Sequence, residues 1–238
     1  DITQRVTPLS KIYTGGVRRI PLVRGVVVLA ETLTLGMKAL VYSTNVQLEE
    51  EGQELSGWSL ALMLTVSLSF AVGLFFLLPL FLVQFLDRYV ESDIVSNVME
   101  GGIRLTVFLV YIWGVGFIPD IRRVFAYHGA EHMTVKAHEA KDPLDVAHVR
   151  KYSTAHPRCG TAFLLVVMVV SILVFVWLGR PPLFWRILSR VVLIPVIAGL
   201  AYEIIRLSAR YQGNPLVRII TAPSLMLQML TTRQPDDD

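Results

Sequence analysis

Long apolar runs separated by short charged intervals organise the chain from Leu22 onward. Trp58 to Leu86 contains no formal charge and reads TVSLSFAVGLFFLLPLFLVQF at its centre. About 20 apolar residues carry a helix across a bilayer core, so this run predicts a spanning helix, tilted or bent near Pro79. Thr161–Leu178 (TAFLLVVMVVSILVFVWL) is also uncharged and predicts a second span. Gly101–Pro119 is a shorter candidate with Arg104 near its start. Leu183–Leu207 is the last, interrupted by Arg190, Pro195, Gly199 and Glu203.

The first apolar run, Leu22–Thr44, has a different pattern. Arg24, Glu31 and Lys38 recur every seven residues and so lie along one helical face. A charge facing lipid at mid-span costs about 2.5–3.5 kcal/mol on insertion scales. The stripe therefore faces a polar interior, or the segment is an amphipathic or re-entrant helix. A surface helix would set the basic groups near anionic lipid. A polar groove within the bilayer would admit a hydrophilic segment of a client protein.

Loop charge favours the non-crossing option. Arg5, Lys11, Arg18 and Arg19 precede Leu22. Arg122, Arg123, Lys136, Lys141, Arg150, Lys151 and Arg158 fall in 120–160, and Arg210, Arg218 and Arg233 in the tail. If Leu22–Thr44 does not cross and the other four runs do, all three basic regions share one side, which the positive-inside rule makes cytoplasmic. The expected fold class is an all-α polytopic membrane protein, with about four spans plus the amino-terminal helix. Its regions are an amphipathic segment 1–57, a first transmembrane pair 58–119, a cytoplasmic His-rich insertion 120–160, a second pair 161–207 and a carboxy-terminal surface segment 208–238. Asn214–Thr232 reads as a surface helix and RQPDDD as a solvated end. The opening residues DITQRVTPLS lack both a starting Met and an apolar leader, so the chain reads as beginning part-way into its gene product.

Composition agrees. The chain is 53% hydrophobic and 17% charged, with a mean hydropathy of +0.55, against about 45–50% and roughly 25% for soluble domains. A soluble enzyme, a disordered chain and a DNA-binding module are thereby excluded. A formal charge of +3 is too small and dispersed for a phosphate-tracking surface. The single cysteine, Cys159, forms no internal disulfide and fits a reducing compartment.

Candidate chemistry is concentrated in one window. All five histidines, at 128, 132, 138, 148 and 156, lie between residues 128 and 156, and Cys159 follows. In His128-Gly-Ala-Glu131-His132 the two imidazoles are one helical turn apart, a natural two-ligand clamp for zinc. The spacing matches H-x-x-E-H, in which the glutamate is the general base. That assigns Glu131 as catalytic base, with His128, His132 and Glu203 as metal ligands and water in the fourth place. His156-Pro-Arg-Cys159 offers an alternative ligand pair, which with His128 and His132 would close a structural site. Plainer roles compete: interfacial hydrogen bonding for the histidines, pairing with Arg206 or Lys38 for Glu203, and packing for Cys159. His138 and His148 read as surface residues.

The motifs VRGVVVLAETLTLGMKAL, YHGAEHMTVKAHE, VRKYSTAHPRCGTAFLL, YEIIRLSAR and NPLVRIITAPSLMLQMLTTRQPDD occur in this order. Together they resemble the YqhQ family of bacterial membrane proteins, uncharacterised and described as predicted metal-dependent enzymes, over roughly residues 14–238. The resemblance implies a multi-pass protein of the bacterial cytoplasmic membrane and transfers no residue role. The family's Gly-rich amino-terminal stretch is absent. Two functions follow as expectations. One is a membrane-embedded zinc hydrolase. The other is a non-enzymatic membrane-protein biogenesis factor or scaffold in contact with lipid and with the translocon or ribosome. Self-association stays open.

Overall fold

The computed structural model describes residues 16–50, 56–157, 159–211 and 213–236, which are mostly helical with no strand among them. The opening residues through Lys11, and Arg158 of the charge argument, lie outside the described residues. After a turn at Gly16–Arg19 come α1 (Val23–Glu50) and α2 (Gly57–Val72). A π-helical turn at Gly73–Leu77 joins α2 to α3 (Leu78–Asp87). Then follow α4 (Asp93–Val115), α5 (Pro119–Ala140), α6 (Val146–Val149), α7 (Gly160–Val176), α8 (Leu183–Val192), α9 (Ile194–Arg210) and α10 (Pro215–Thr231).

Local chemistry explains several boundaries. Ser92 caps α4 by accepting from the Val95 N–H, as N-cap hydroxyls do. Pro119 opens α5 at a position whose N–H has no intrahelical partner. Lys141, left-handed at φ 62°, closes α5, with the Asp142 N–H reaching back to the Ala137 carbonyl. Pro195 in the first turn of α9 sits at the break from α8.

Among the described residues, three continuous helical stretches are long and apolar enough to cross a membrane: Val23–Val46, Gly57–Asp87 and Asp93–Val115. The α8–α9 pair, bent by 44°, forms a fourth if it is one span. This differs from the expected set in two places. The Leu22–Thr44 segment, expected to stay in the interface or re-enter, is from Val23 onward part of one continuous helix that meets the length requirement. Helix α7, expected to span, has only 17 residues, short of the roughly 20 needed.

Helix α7 is the central strut, packed against α4, α9 and α10. Phe108 and Ile112 of α4, Leu165 of α7 and Leu227 of α10 form one core cluster. Val170 and Phe175 of α7 with Ile197 of α9 form another. Helix α10 is thus partly internal, not a surface helix: Leu227, Gln228 and Thr231 are buried.

The polar stripe of α1 divides. The Arg24 guanidinium donates to both carboxylate oxygens of Glu203 on α9, through Nε at 2.6 Å and through Nη2. Glu31 is buried and Lys38 exposed. Helix α1 approaches α9 closely at Gly25, where an added Cβ would stand 2.7 Å from Tyr202 Cβ and 3.0 Å from Gly199 Cα. Small residues permit such backbone approach between membrane helices.

A second polar assembly lies near the end of α7 that carries Phe175. Glu100 of α4 is buried and accepts from Arg104 Nη2 at 2.7 Å, Arg186 Nη2 at 2.6 Å and Arg190 Nη2 at 3.0 Å. Arg104 Nε donates to the Phe75 carbonyl at 3.1 Å, inside the π turn. A π turn displaces the usual ladder of helical bonds, and here a carbonyl within it receives the guanidinium.

Candidate metal centre

Helix α5 carries His128 and His132 on one face. Their rings stand 4.4 Å apart between centroids, as i, i+4 spacing requires. Each ring is anchored through Nδ1. His128 Nδ1 donates to the Thr231 carbonyl at 2.9 Å and His132 Nδ1 to the Thr154 carbonyl at 2.5 Å. A carbonyl only accepts, so both Nδ1 atoms carry protons and each neutral ring keeps its lone pair on Nε2. Backbone carbonyls commonly fix metal-binding imidazoles this way.

Cys159 completes the cluster from the N-cap of α7. Its Sγ lies 3.2 Å from His128 Nε2 and 3.2 Å from Thr161 Oγ1. His128, His132 and Cys159 each bring one donor atom to within 4.8 Å of the others. Ligand atoms around a tetrahedral zinc would be roughly 3.3–3.8 Å apart from the usual bond lengths, so binding would draw the widest pair together by about 1 Å. Two imidazoles and a thiolate are a donor set that zinc accepts.

The electrostatics divide: His132 and the Cys159 thiol shift toward their metal-binding forms, and His128 shifts away from it. The hydrogen bond with Cys159 raises His128 above its ordinary pKa, helped by the Thr231 carbonyl and opposed by burial. Burial lowers His132, opposed by the Thr154 carbonyl, and the neighbouring imidazoles of His128 and His156 add to the lowering. Burial pushes the Cys159 thiol up, but hydrogen bonds from His128 and Thr161 carry it below its ordinary value. A helix N-terminus also favours thiolate.

The chain's last described turn builds this site. Arg233 N–H donates to the Phe125 carbonyl at 2.9 Å, laying the end of α10 across α5. A Cβ at Gly129 would meet the Arg233 carbonyl oxygen at 2.0 Å. The glycine between the two histidines therefore admits the segment whose Thr231 carbonyl holds His128. Gln228 pins the 155–157 stretch, accepting from His156 N–H at 2.7 Å and donating to the His156 carbonyl at 2.8 Å.

The expected residues separate as follows. His128, His132 and Cys159 come together. His156 is adjacent, its ring 5.7 Å from that of His132, but its Nε2 lies 3.5 Å from Glu139 Oε2. Glu131 is exposed on α5, and its charge raises the pKa of both His128 and His132. Glu203 is not brought to the histidines. Its carboxylate is bound by Arg24 and by the Leu22 N–H at 3.2 Å, and the third donor brought beside the two histidines is that of Cys159. His138 is exposed and His148 is partly exposed beside Asp145. Sequence reasoning missed Thr231 and Thr154 because they act through backbone carbonyls. It also missed the arginine cluster, although Glu100/Arg104 and Arg186/Arg190 are both i, i+4 pairs in apolar surroundings.

A family model described as "Protein of unknown function (DUF1385)" matches residues 20–238. The "Uncharacterized protein YqhQ" of Bacillus subtilis (strain 168) is 33% identical over 235 residues, covering 93% of this chain and 74% of the relative. No solved structure matches. The chain belongs to the DUF1385 family.

Proposed function

We propose, from its membership of the DUF1385 family and the geometry of its histidine cluster, that the protein is a membrane-embedded metal-dependent hydrolase. Zinc is the metal that best suits His128, His132 and Cys159. The observation that carries this reading is the pair of Nδ1–H···O=C anchors, which leave both Nε2 lone pairs available beside a thiol. Catalytic zinc sites use three protein ligands and keep one position open. A bound zinc would lower the pKa of a water at that position. Glu131 supplies the general base, since it is solvent-accessible and its field reaches both imidazoles. His156, engaged with Glu139, favours a three-ligand centre over a closed four-ligand one. The basic residues of 120–160 support a cytoplasmic position for this site.

Metal analysis of the full chain purified in detergent tests the reading. The expected result is about one zinc per chain, lost in His128→Ala, His132→Ala and Cys159→Ala and kept in Glu131→Gln and Glu203→Gln. A chain that neither retains nor takes up zinc overturns it. One observation favours a second reading: the 3.2 Å contact of His128 Nε2 with Cys159 Sγ is the reach of a nucleophile and its base. Metal-free protein whose Cys159 is alkylated by iodoacetamide at neutral pH in a His128-dependent way would support that pair instead.

A further inference from the structure

The junction of α4 and α5 is where the chain leaves its apolar layer. Helix α4 is long and apolar enough to cross a bilayer, and it ends at Val115. Trp113 and Phe117 are exposed there and pack edge to face, with ring centroids 4.8 Å apart. Exposed aromatic rings concentrate at membrane–water interfaces. Pro119 then opens α5, and Arg122 and Arg123 follow at once. From Pro119 to Arg123 the helix rises by only about 6 Å. A bilayer is about 40–45 Å thick around a hydrocarbon core of about 30 Å, so each head-group layer is roughly 5–8 Å deep. These arginines therefore stand at head-group depth beside the end of a spanning helix.

Residues 233–236 fold back alongside them. Between this segment and α5 lies an open cleft of about 700 Å³, lined among others by Arg122, Arg123, Ala126, Tyr127 and Arg233. Its far wall is fixed, because Arg233 donates through Nη2 to the Gly116 carbonyl at 3.2 Å and through its backbone N–H to the Phe125 carbonyl. The Arg123 guanidinium carbon lies 5.8 Å from the centroid of the Tyr127 ring. All three arginines and Tyr127 are exposed. Among the described residues, the one acid in the lining is Asp236, and Asp120 lies in the first turn of α5. Three guanidinium groups thus face one carboxylate across a cleft open to its surroundings. The arginines around Glu100 are buried and engaged with that carboxylate; those of the cleft present their N–H groups outward.

We propose that this cleft binds the head-group phosphate of an anionic phospholipid from the adjoining leaflet, with Arg122 and Arg123 as its principal contacts. Guanidinium suits phosphate oxygens because its N–H groups match them in pairs. Basic residues beside the membrane end of a helix attract anionic head groups. Tyr127 offers a ring to the glycerol and a hydroxyl to the phosphate. The occupant is a lipid and not a dissolved anion, because exposed charges hold a small ion only weakly against water. A lipid is already concentrated in the plane beside Trp113 and Phe117, and the bilayer holds its acyl chains.

The full chain in detergent micelles, titrated with 1-palmitoyl-2-oleoyl-phosphatidylglycerol and read by native mass spectrometry, tests the proposal. The expected result is one preferentially bound lipid, weakened at least about tenfold by the double variant Arg122→Gln/Arg123→Gln, since each arginine near an anionic surface contributes about fivefold. Ala126→Trp, which fills the cleft and removes no charge, should weaken binding similarly. Lys141→Gln/Lys151→Gln removes the same charge from exposed positions outside the cleft and should bind as the parent does. Phosphatidylcholine, which carries no net charge, should bind far more weakly, and inorganic phosphate should not displace the lipid. Parent-like binding by the arginine variant and by Ala126→Trp overturns the proposal. An equal loss in the lysine variant reduces the effect to net charge and overturns it too, as does equal binding of phosphatidylcholine. Displacement by millimolar inorganic phosphate would assign the cleft to a soluble anion and overturns it as well.

Discussion

Helix α7 has a polar cluster at each end, and the two are built on opposite plans. At one end His128, His132 and Cys159 hold their donors toward one another, with ring orientation set by backbone carbonyls. At the other, the carboxylate of Glu100 accepts from three buried arginines. Cys159 and Phe175 are sixteen residues apart on α7, about 24 Å of helix. One cluster gathers neutral donor atoms and the other gathers guanidinium groups around a carboxylate. The first is assembled from a loop, a helix turn and the chain's end; the second is locked between helices in the bundle. The histidine cluster should therefore respond to change by losing a ligand, and the arginine cluster by losing the fold.

The largest effect that can break this contrast is at Glu100. Glu100→Ala leaves three buried guanidinium groups facing one another. Removing one partner of a buried ion pair costs roughly 3–5 kcal/mol. Cys159→Ala, which removes a donor and no structural charge, should cost roughly 1 kcal/mol in metal-free protein. Thermal unfolding of both variants in the same detergent measures the difference. Equal midpoints would show that the arginine cluster does not hold the bundle together.

Gly129→Ala follows in size. Alanine is the better helix former by about 1 kcal/mol, so an isolated α5 would gain. In the folded chain the new Cβ meets the Arg233 carbonyl oxygen, and overpacking costs about 1–3 kcal/mol. The net change should be destabilising and should lower zinc retention, because displacing the tail frees His128 from Thr231. A stabilised variant with unchanged metal content would show that the tail does not hold His128 in solution.

The two clusters also differ in how far the sequence disclosed them. His128 and His132 were legible because both lie within one helical turn, and local spacing fixes which side chains share a face. The spanning potential of Gly57–Asp87 was legible for the same reason, since composition alone sets it. Cys159 was offered only as an alternative, because its approach to His128 depends on how α7 packs beside α5. The partner of Glu203 was not legible, because an ionisable residue in an apolar helix signals a polar partner without naming it, and Arg24 lies far away in sequence. The arginine cluster joins α4 to α8 across more than eighty residues, so each half looked like an isolated charge. Helix α10 read as a surface segment because its buried face is partly polar, with Gln228 and Thr231 pointing inward.

Glu203→Gln sharpens the ligand side with a smaller effect. The Arg24–Glu203 pair is partly exposed, and such pairs contribute little. Zinc content should be unchanged, and the main consequence should be a looser contact between α1 and α9. Faster proteolysis near Leu22 would report that loosening, whereas loss of zinc would restore Glu203 as a ligand.

The smallest effect concerns the connection between α5 and Cys159. Asp145 caps the short helix α6, its Oδ1 accepting from the His148 N–H at 2.9 Å and meeting His148 Nδ1 at 2.7 Å. These bonds, led by the His148 side chain, hold the Asp145 carboxyl below its ordinary pKa. A depressed folded-state pKa stabilises fully above the unfolded value, about 3.9, and that stabilisation disappears as pH falls through the folded one. Hydrogen exchange corrected for its intrinsic pH dependence should therefore show Val146–Arg150 opening more readily below that value. Asp145→Ala should open this segment already at neutral pH and remove the acid step. The amides of α4 around Glu100, held inside the bundle, should change less across the same window. An acid response that begins in α4 before α6 would reverse the ranking of the two ends and show the arginine cluster to be the looser one.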